Sequence, residues 1–101
     1  MAGLGLLWAS AHGAQADFGY ANSRCEKWFD PERAAEAPGR RQWVLGYLTA
    51  TMRFSDEYDL SSVDQGQAIE ELRAYCKEHP RTSLETATQE ALLSNMKNPD
   101  Y

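Results

Sequence analysis

Apolar positions recur at helical spacing along most of the chain, and no stretch shows sustained alternation of β-branched residues. The most apolar stretch is "RRQWVLGYLTATMRF", from Arg40 to about Phe54. Val44, Leu48 and Met52 recur there at every fourth position, with Trp43 and Tyr47 alongside. That pattern predicts a helix with a wide apolar face. Gly46 weakens it by about 1 kcal/mol relative to alanine and would permit a neighbouring helix to pack closely. A further helix opens at Asp64, whose spacing to Gln67 resembles a capping box. It places Ile69, Leu72 and Cys76 on one face, with Ala68 and Tyr75 flanking. Lys77 and His79 suit its C-terminus, where the helix dipole favours cations, and Pro80 stops it. Thr82 and Glu85 form another capping box, opening a last helix from about Ser83 to Met96. Its apolar face (Leu84, Ala87, Ala91 and Leu92) is thin. Nearer the start, Asn22–Ser23 cap a short helix holding Cys25, Trp28 and Phe29, which Asp30–Pro31 ends or bends. "PERAAEAPGR" has room for a short helical turn but reads mainly as a connector, and "SDEYDLSSVD" reads as a polar, acidic one. The expected fold is all-α: a small bundle of three to four short helices.

The first sixteen residues, "MAGLGLLWASAHGAQA", contain no Asp, Glu, Lys or Arg. A short apolar run, Leu4 to Ala9, is followed by small residues ending in Ala14–Gln15–Ala16. This is the hydrophobic core and A-x-A ending of a secretory signal peptide, without the basic residues that normally precede it. The run is too short to span a bilayer. Residues 1–16 are therefore expected to be a leader and residues 17–101 a single helical domain. Export makes the two cysteines informative, because an even count in a small exported domain favours a disulfide. Cys25 and Cys76 are the one possible pair. A bridge closing a loop of about fifty residues stabilises by ~4 kcal/mol in the chain-entropy picture. That is a large share of the ~5–15 kcal/mol that holds a domain together. A domain of this size buries only ~60–65% of its unfolded surface, so a staple matters.

The formal charge is −5, from 15 acidic and 10 basic residues. The only adjacent basic pair, Arg40–Arg41, is too little for a nucleic-acid footprint, and the charge deficit argues equally against anionic membrane surfaces. Beyond the leader there is one histidine, His79, at a helix end. Cys76 and His79 imitate half of a metal site, but two ligands fall short of one, and a bridged cysteine cannot ligate. Asp56, Glu57 and Asp59 lack the spacing of a calcium loop. No phosphate-cradling or dinucleotide motif is present in residues 17–101. No catalytic set, metal, cofactor or small-molecule substrate is expected. The aromatic load is heavy: Trp28, Phe29, Trp43, Tyr47, Phe54, Tyr58 and Tyr75. Most should enter the core, and the remainder should form a dimer or partner surface. Trp43, Tyr47, Met52 and Phe54 are the candidates for that surface.

Several segments together resemble the HdeA/HdeB-type periplasmic acid-stress chaperones, HdeB more closely. They are "CEKWF" at 25–29, "QWVLGYLTA" at 42–50, the acidic connector, and "LRAYCKEHPRTSLETA" at 72–87. The likeness covers about residues 22–92, and "PERAAEAPGR" and "NMKNPDY" have no counterpart in it. It implies an exported helical domain whose single disulfide joins the first helix to the helix before the last. Cys25 and Cys76 map onto those positions, and Tyr75, Cys76, Lys77 and Pro80 map onto the family's "YCK-x-x-P"-like segment. The resemblance also implies a periplasmic homodimer at neutral pH that loosens in acid and holds unfolding envelope proteins on apolar surface. The charge supplies a separate rationale. As pH falls through the carboxylate range the acids lose charge, the bases keep theirs and His79 gains one. The chain then turns strongly positive, and self-repulsion loosens a marginal bundle. "GYLTA" and "YCKEHP…A…EAL" are also similar to the Rap/Tai-type immunity proteins, small helical disulfide-bearing proteins that neutralise type VI secretion effectors in the periplasm. The cysteine in the first helix favours the chaperone family. A third alternative is an HdeA-like fold serving another envelope role, since fold does not fix function.

Overall fold

Residues 19–101 are described by a computed structural model; the expected leader, residues 1–16, lies outside them. Three α-helices carry the domain: α1 (Ala37–Phe54), α2 (Gln65–Glu78) and α3 (Leu84–Ala91). Three 3-10 segments, Cys25–Phe29, Pro31–Glu36 and Leu93–Asn95, join and extend them. The described residues form no strand, only two isolated bridges, Arg24 with Ser83 and Tyr58 with Lys97. The all-α expectation, with one disulfide between Cys25 and Cys76, holds.

Helix α2 starts as its sequence requires. The Asp64 carboxylate accepts from the Gln67 amide at 2.9 Å, and His79 caps the other end just before Pro80. Its apolar stripe, Ala68, Ile69, Leu72 and Cys76, is buried. The stripe meets Val44 and Leu48 of α1 and Leu84 and Ala87 of α3, with Cys25, Trp28, Leu92 and Leu93 closing the core. Thr88 is also fully buried; its hydroxyl donates to the Leu84 carbonyl at 2.8 Å, so no polar group is stranded there.

Several local expectations change. The stretch expected to be mainly a connector, residues 31–40, holds more helix than the one short turn it had room for: 3-10 turns at Pro31–Glu36, kinked at Arg33, run into an α-helix. The Asp30 carboxylate accepts from the Glu32 amide at 2.9 Å and opens the Pro31–Glu36 segment. Helix α1 begins at Ala37 rather than Arg40, with Pro38 in its first turn, where a missing amide costs nothing. At Gly39 a β-carbon would sit 2.9 Å from the Tyr20 ring, so a larger residue there would push that ring aside. The helix at Cys25 is of the 3-10 type and is not capped by Asn22–Ser23: the Ser23 hydroxyl instead accepts from Arg40 at 3.2 Å. The last helix is capped by Ser83, not Thr82, through the Thr86 amide at 3.1 Å. It ends at Ala91 rather than Met96, because the Ser94 and Asn95 side chains bond back to the carbonyls of Glu90 and Ala91 and tighten the chain. Gly46 packs against no helix; a β-carbon there would meet nothing within 4 Å.

Candidate functional site

The disulfide lies at the centre of a junction built from backbone. Cys25 and Cys76 have Cα atoms 4.9 Å apart and are almost wholly buried. Around them two helix starts satisfy each other. The amides of Cys25 and Glu26 donate to the carbonyls of Thr82 (2.8 Å) and Pro80 (2.9 Å). In return the first amides of α3, Leu84 and Glu85, donate to the carbonyls of Ser23 (2.7 Å) and Ala21 (3.0 Å). Amides at helix starts lack intrahelical partners, so this exchange replaces the side-chain caps expected for the first helix.

The sequence reading places Arg40 at the start of a helix and in a basic pair, not in the core. Arg40 is 2% exposed. Its guanidinium pairs with Glu36 at 3.0 Å, donates to Ser23, and lies 4.8 Å from the centre of the Tyr20 ring. Its Nε and Nη1 have no partner among the described residues. The signal was present: the four-residue register of Val44 and Leu48 runs back to Arg40 and puts it on the core face.

The four candidate contact residues do not form one patch. Trp43 and Tyr47 are half-buried, with ring centres 5.3 Å apart. Trp43 lies so close to Gly19, where φ is +70°, that only glycine fits there. The Tyr47 hydroxyl accepts from Gln89 at 2.8 Å and ties α1 to α3. Met52, 49% exposed, lies on the other flank of α1, in a cleft of about 100 Å³ shared with Leu48, Leu60 and Val63. Phe54 is 86% exposed. It borders an open groove of about 590 Å³ over the outer face of α1. Among the other aromatics, Trp28 is buried, while Phe29, Tyr58 and Tyr75 lean on the core.

The acidic connector is bound to the C-terminal tail, a clasp that sequence reading did not foresee. The Asp59 amide donates to the Met96 carbonyl at 2.8 Å, and the Asn98 amide to the Glu57 carbonyl at 2.7 Å. Lys97 pairs with Glu57 at 2.9 Å. Its hydrogen bond holds the Glu57 carboxyl below its ordinary pKa, and Lys97 is correspondingly raised. The Ser61 hydroxyl, 2.7 Å away, holds Asp59 below its ordinary value. Near the other junction, the Tyr75 hydroxyl donates to Glu90 at 2.6 Å, which raises the Tyr75 pKa. The exposed His79 ring stacks on Tyr75 at 4.2 Å.

Among the described residues, no three His, Cys, Asp or Glu side chains converge as a metal site would require. No described helix is long and apolar enough to cross a membrane. No family model, curated protein or solved structure matches the chain.

Proposed function

We propose that this chain is an exported, periplasmic protein-binding protein of the HdeA/HdeB type, a homodimer at neutral pH that holds unfolding envelope proteins in acid. It acts by binding, without a catalytic step. The observation that carries the reading is the pairing of a covalently pinned core with an acid-labile clasp. The Cys25–Cys76 junction has no dependence on carboxylate charge at its bond, whereas the tail at 96–98 is held to 57–59 partly by the Glu57–Lys97 pair. Protonating Glu57 removes the charge attraction. Loosening the tail then uncovers Met96, Tyr58 and the core they lean on, adding to the surface that Met52 and Phe54 already expose. Apolar surface released next to a core that stays pinned is what a holding protein needs. The test is client aggregation at about pH 2–4, the range in which carboxylates become protonated. Suppressed aggregation is expected; unchanged aggregation beside a compact dimer overturns the reading.

A second reading, a Rap/Tai-type immunity protein, is favoured by one feature. The groove beside Phe54 is open in the folded chain, with no need of acid. It demands a tight, specific complex at neutral pH with an effector encoded nearby. A pull-down that recovers no single toxin counts against it.

A further inference from the structure

Helix α1 differs electrostatically from the rest of the chain. Over Ala37–Phe54 it has no carboxylate and three arginines, in a chain with 15 acidic and 10 basic residues. Arg40 is consumed inside the fold by Glu36. Arg41 and Arg53, both exposed, make no ion pair among the described residues. Arg53 stands directly beside Phe54, the most exposed large apolar side chain described. Together with Leu45, Gly46, Thr49 and Ala50 they line the open groove. The groove is more apolar than its composition suggests, because the Thr49 hydroxyl donates to the Leu45 carbonyl at 2.8 Å and is occupied within the helix. At Gly46 nothing stands over the backbone, so a partner can approach it closely. Gln42 and Gln65 complete the lining without adding charge.

We propose that this face docks, at neutral pH, an apolar segment of another protein that carries carboxylates. Apolar side chains of the segment cover Leu45, Ala50 and Phe54, while a carboxylate takes the fork of Arg53. A guanidinium offers paired donors matched to a carboxylate, and is strongest beside an apolar surface that excludes water. A second copy of this chain is the poorer occupant. Two α1 faces laid together bring only arginines and no carboxylate from either helix, and like charges across an interface select against it. The homodimer of the acid-chaperone reading therefore uses another surface. The proposal rests on the protein-binding reading and adds the partner's chemistry and a working pH.

The test is selection of displayed random 16-residue peptides on the full chain at pH 7, with the Ala50→Glu chain as counter-target. Affinities of the recovered peptides are then measured by fluorescence anisotropy. Residues 50 and 53 are exposed, so the variants should keep the fold, which matching thermal melts confirm. Recovered peptides should combine Leu or Phe with Asp or Glu, weaken as salt rises, and lose about tenfold or more in affinity to Arg53→Glu. Recovery of basic or uncharged peptides, recovery of none, or affinities indifferent to both substitutions overturns the proposal. So does a dimer that Ala50→Glu converts to monomer in sedimentation, because a second copy then occupies the face. Client holding at low pH separates the two ideas. Holding intact in Ala50→Glu with peptide binding lost at pH 7 supports the docking site. Holding absent from the unaltered chain, with peptides still bound, overturns the acid reading alone.

Discussion

Two seams hold remote parts of this chain together, and they differ in how they are locked. One joins residues 21–26 to 80–85, the other 57–59 to 96–98, and both use antiparallel backbone hydrogen bonds of 2.7–3.0 Å. The first is closed by the Cys25–Cys76 disulfide and buried in the core. The second is closed by Glu57 and Lys97 at the surface. The same backbone device is thus locked covalently in one place and by a titratable pair in the other. The sign follows from the directions of the shifts. Glu57 and Asp59 lie below their ordinary values, so their contributions are complete above about pH 4.5, the unfolded carboxylate range, and are lost as pH falls through the folded values. Lys97 and Tyr75 are raised, so theirs are complete below about pH 10 and are lost as pH rises through the folded values. Acid therefore weakens the tail seam and leaves the disulfide seam closed.

The largest effect should come from cutting the covalent seam. Replacing both cysteines by serine removes a link between residues 51 apart. It should lower stability by ~4 kcal/mol, read as the urea midpoint against the oxidised chain. A loss below about 1 kcal/mol would mean that the backbone exchange carries this seam alone. The next test asks how far a buried charge pair supports that seam. Arg40 donates to Ser23 there while leaning on Glu36. Glu36→Gln leaves a buried guanidinium without its counter-charge and should cost about 1 kcal/mol, moderated by the half-exposed position of Glu36. Arg40→Met removes the charge and its two unpartnered nitrogens, and should be neutral or stabilising by up to ~1 kcal/mol. If both variants destabilise alike, the guanidinium's packing on Tyr20 outweighs its charge.

For the tail seam the readout is local. Glu57→Gln should lower the protection factors of the Asp59 and Asn98 amides at pH 7, each taken against its intrinsic exchange rate, to those the unaltered chain shows near pH 3. The Leu84 amide should stay protected in both. Equal exchange in variant and unaltered chain at pH 7 would show that the ion pair contributes nothing. The smallest stability change belongs to Phe54→Ser, within about 0.5 kcal/mol, because the ring is 86% exposed. Binding to the α1 face should fall nonetheless, which separates a contact residue from a structural one.

The helices with strong local signals were legible in the sequence. Asp64, Gln67, the stripe at Ile69, Leu72 and Cys76, and Pro80 place α2 at Gln65–Glu78, because cap, periodicity and stop all lie within one segment. The errors cluster where distant groups decide. Residues 31–40 contain Pro31, Pro38 and Gly39 and look like a loop, yet each proline sits at a helix start, where it is tolerated. Ser23 looks like a cap, but Arg40, seventeen residues away, takes its hydroxyl. The candidate contact set was split for a similar reason. Spacing places Trp43 and Tyr47 on one flank of α1 and Met52 on the other, but only packing half-buried the first two against Gly19 and Gln89 and left Phe54 open.

By itself, the sequence determined that this chain is helical, which faces are apolar, and that Cys25 and Cys76 form its one possible bridge. These follow from periodicity, from caps and from counting, all of which are local or compositional. Only the tertiary structure decided that two helix starts cap each other across the disulfide, that Arg40 is interior while Arg53 is open, and that the acidic connector holds the tail. Each of those depends on which groups from far apart in the chain come within hydrogen-bonding reach. That proximity is set by the packing of the whole core, so no single segment encodes it.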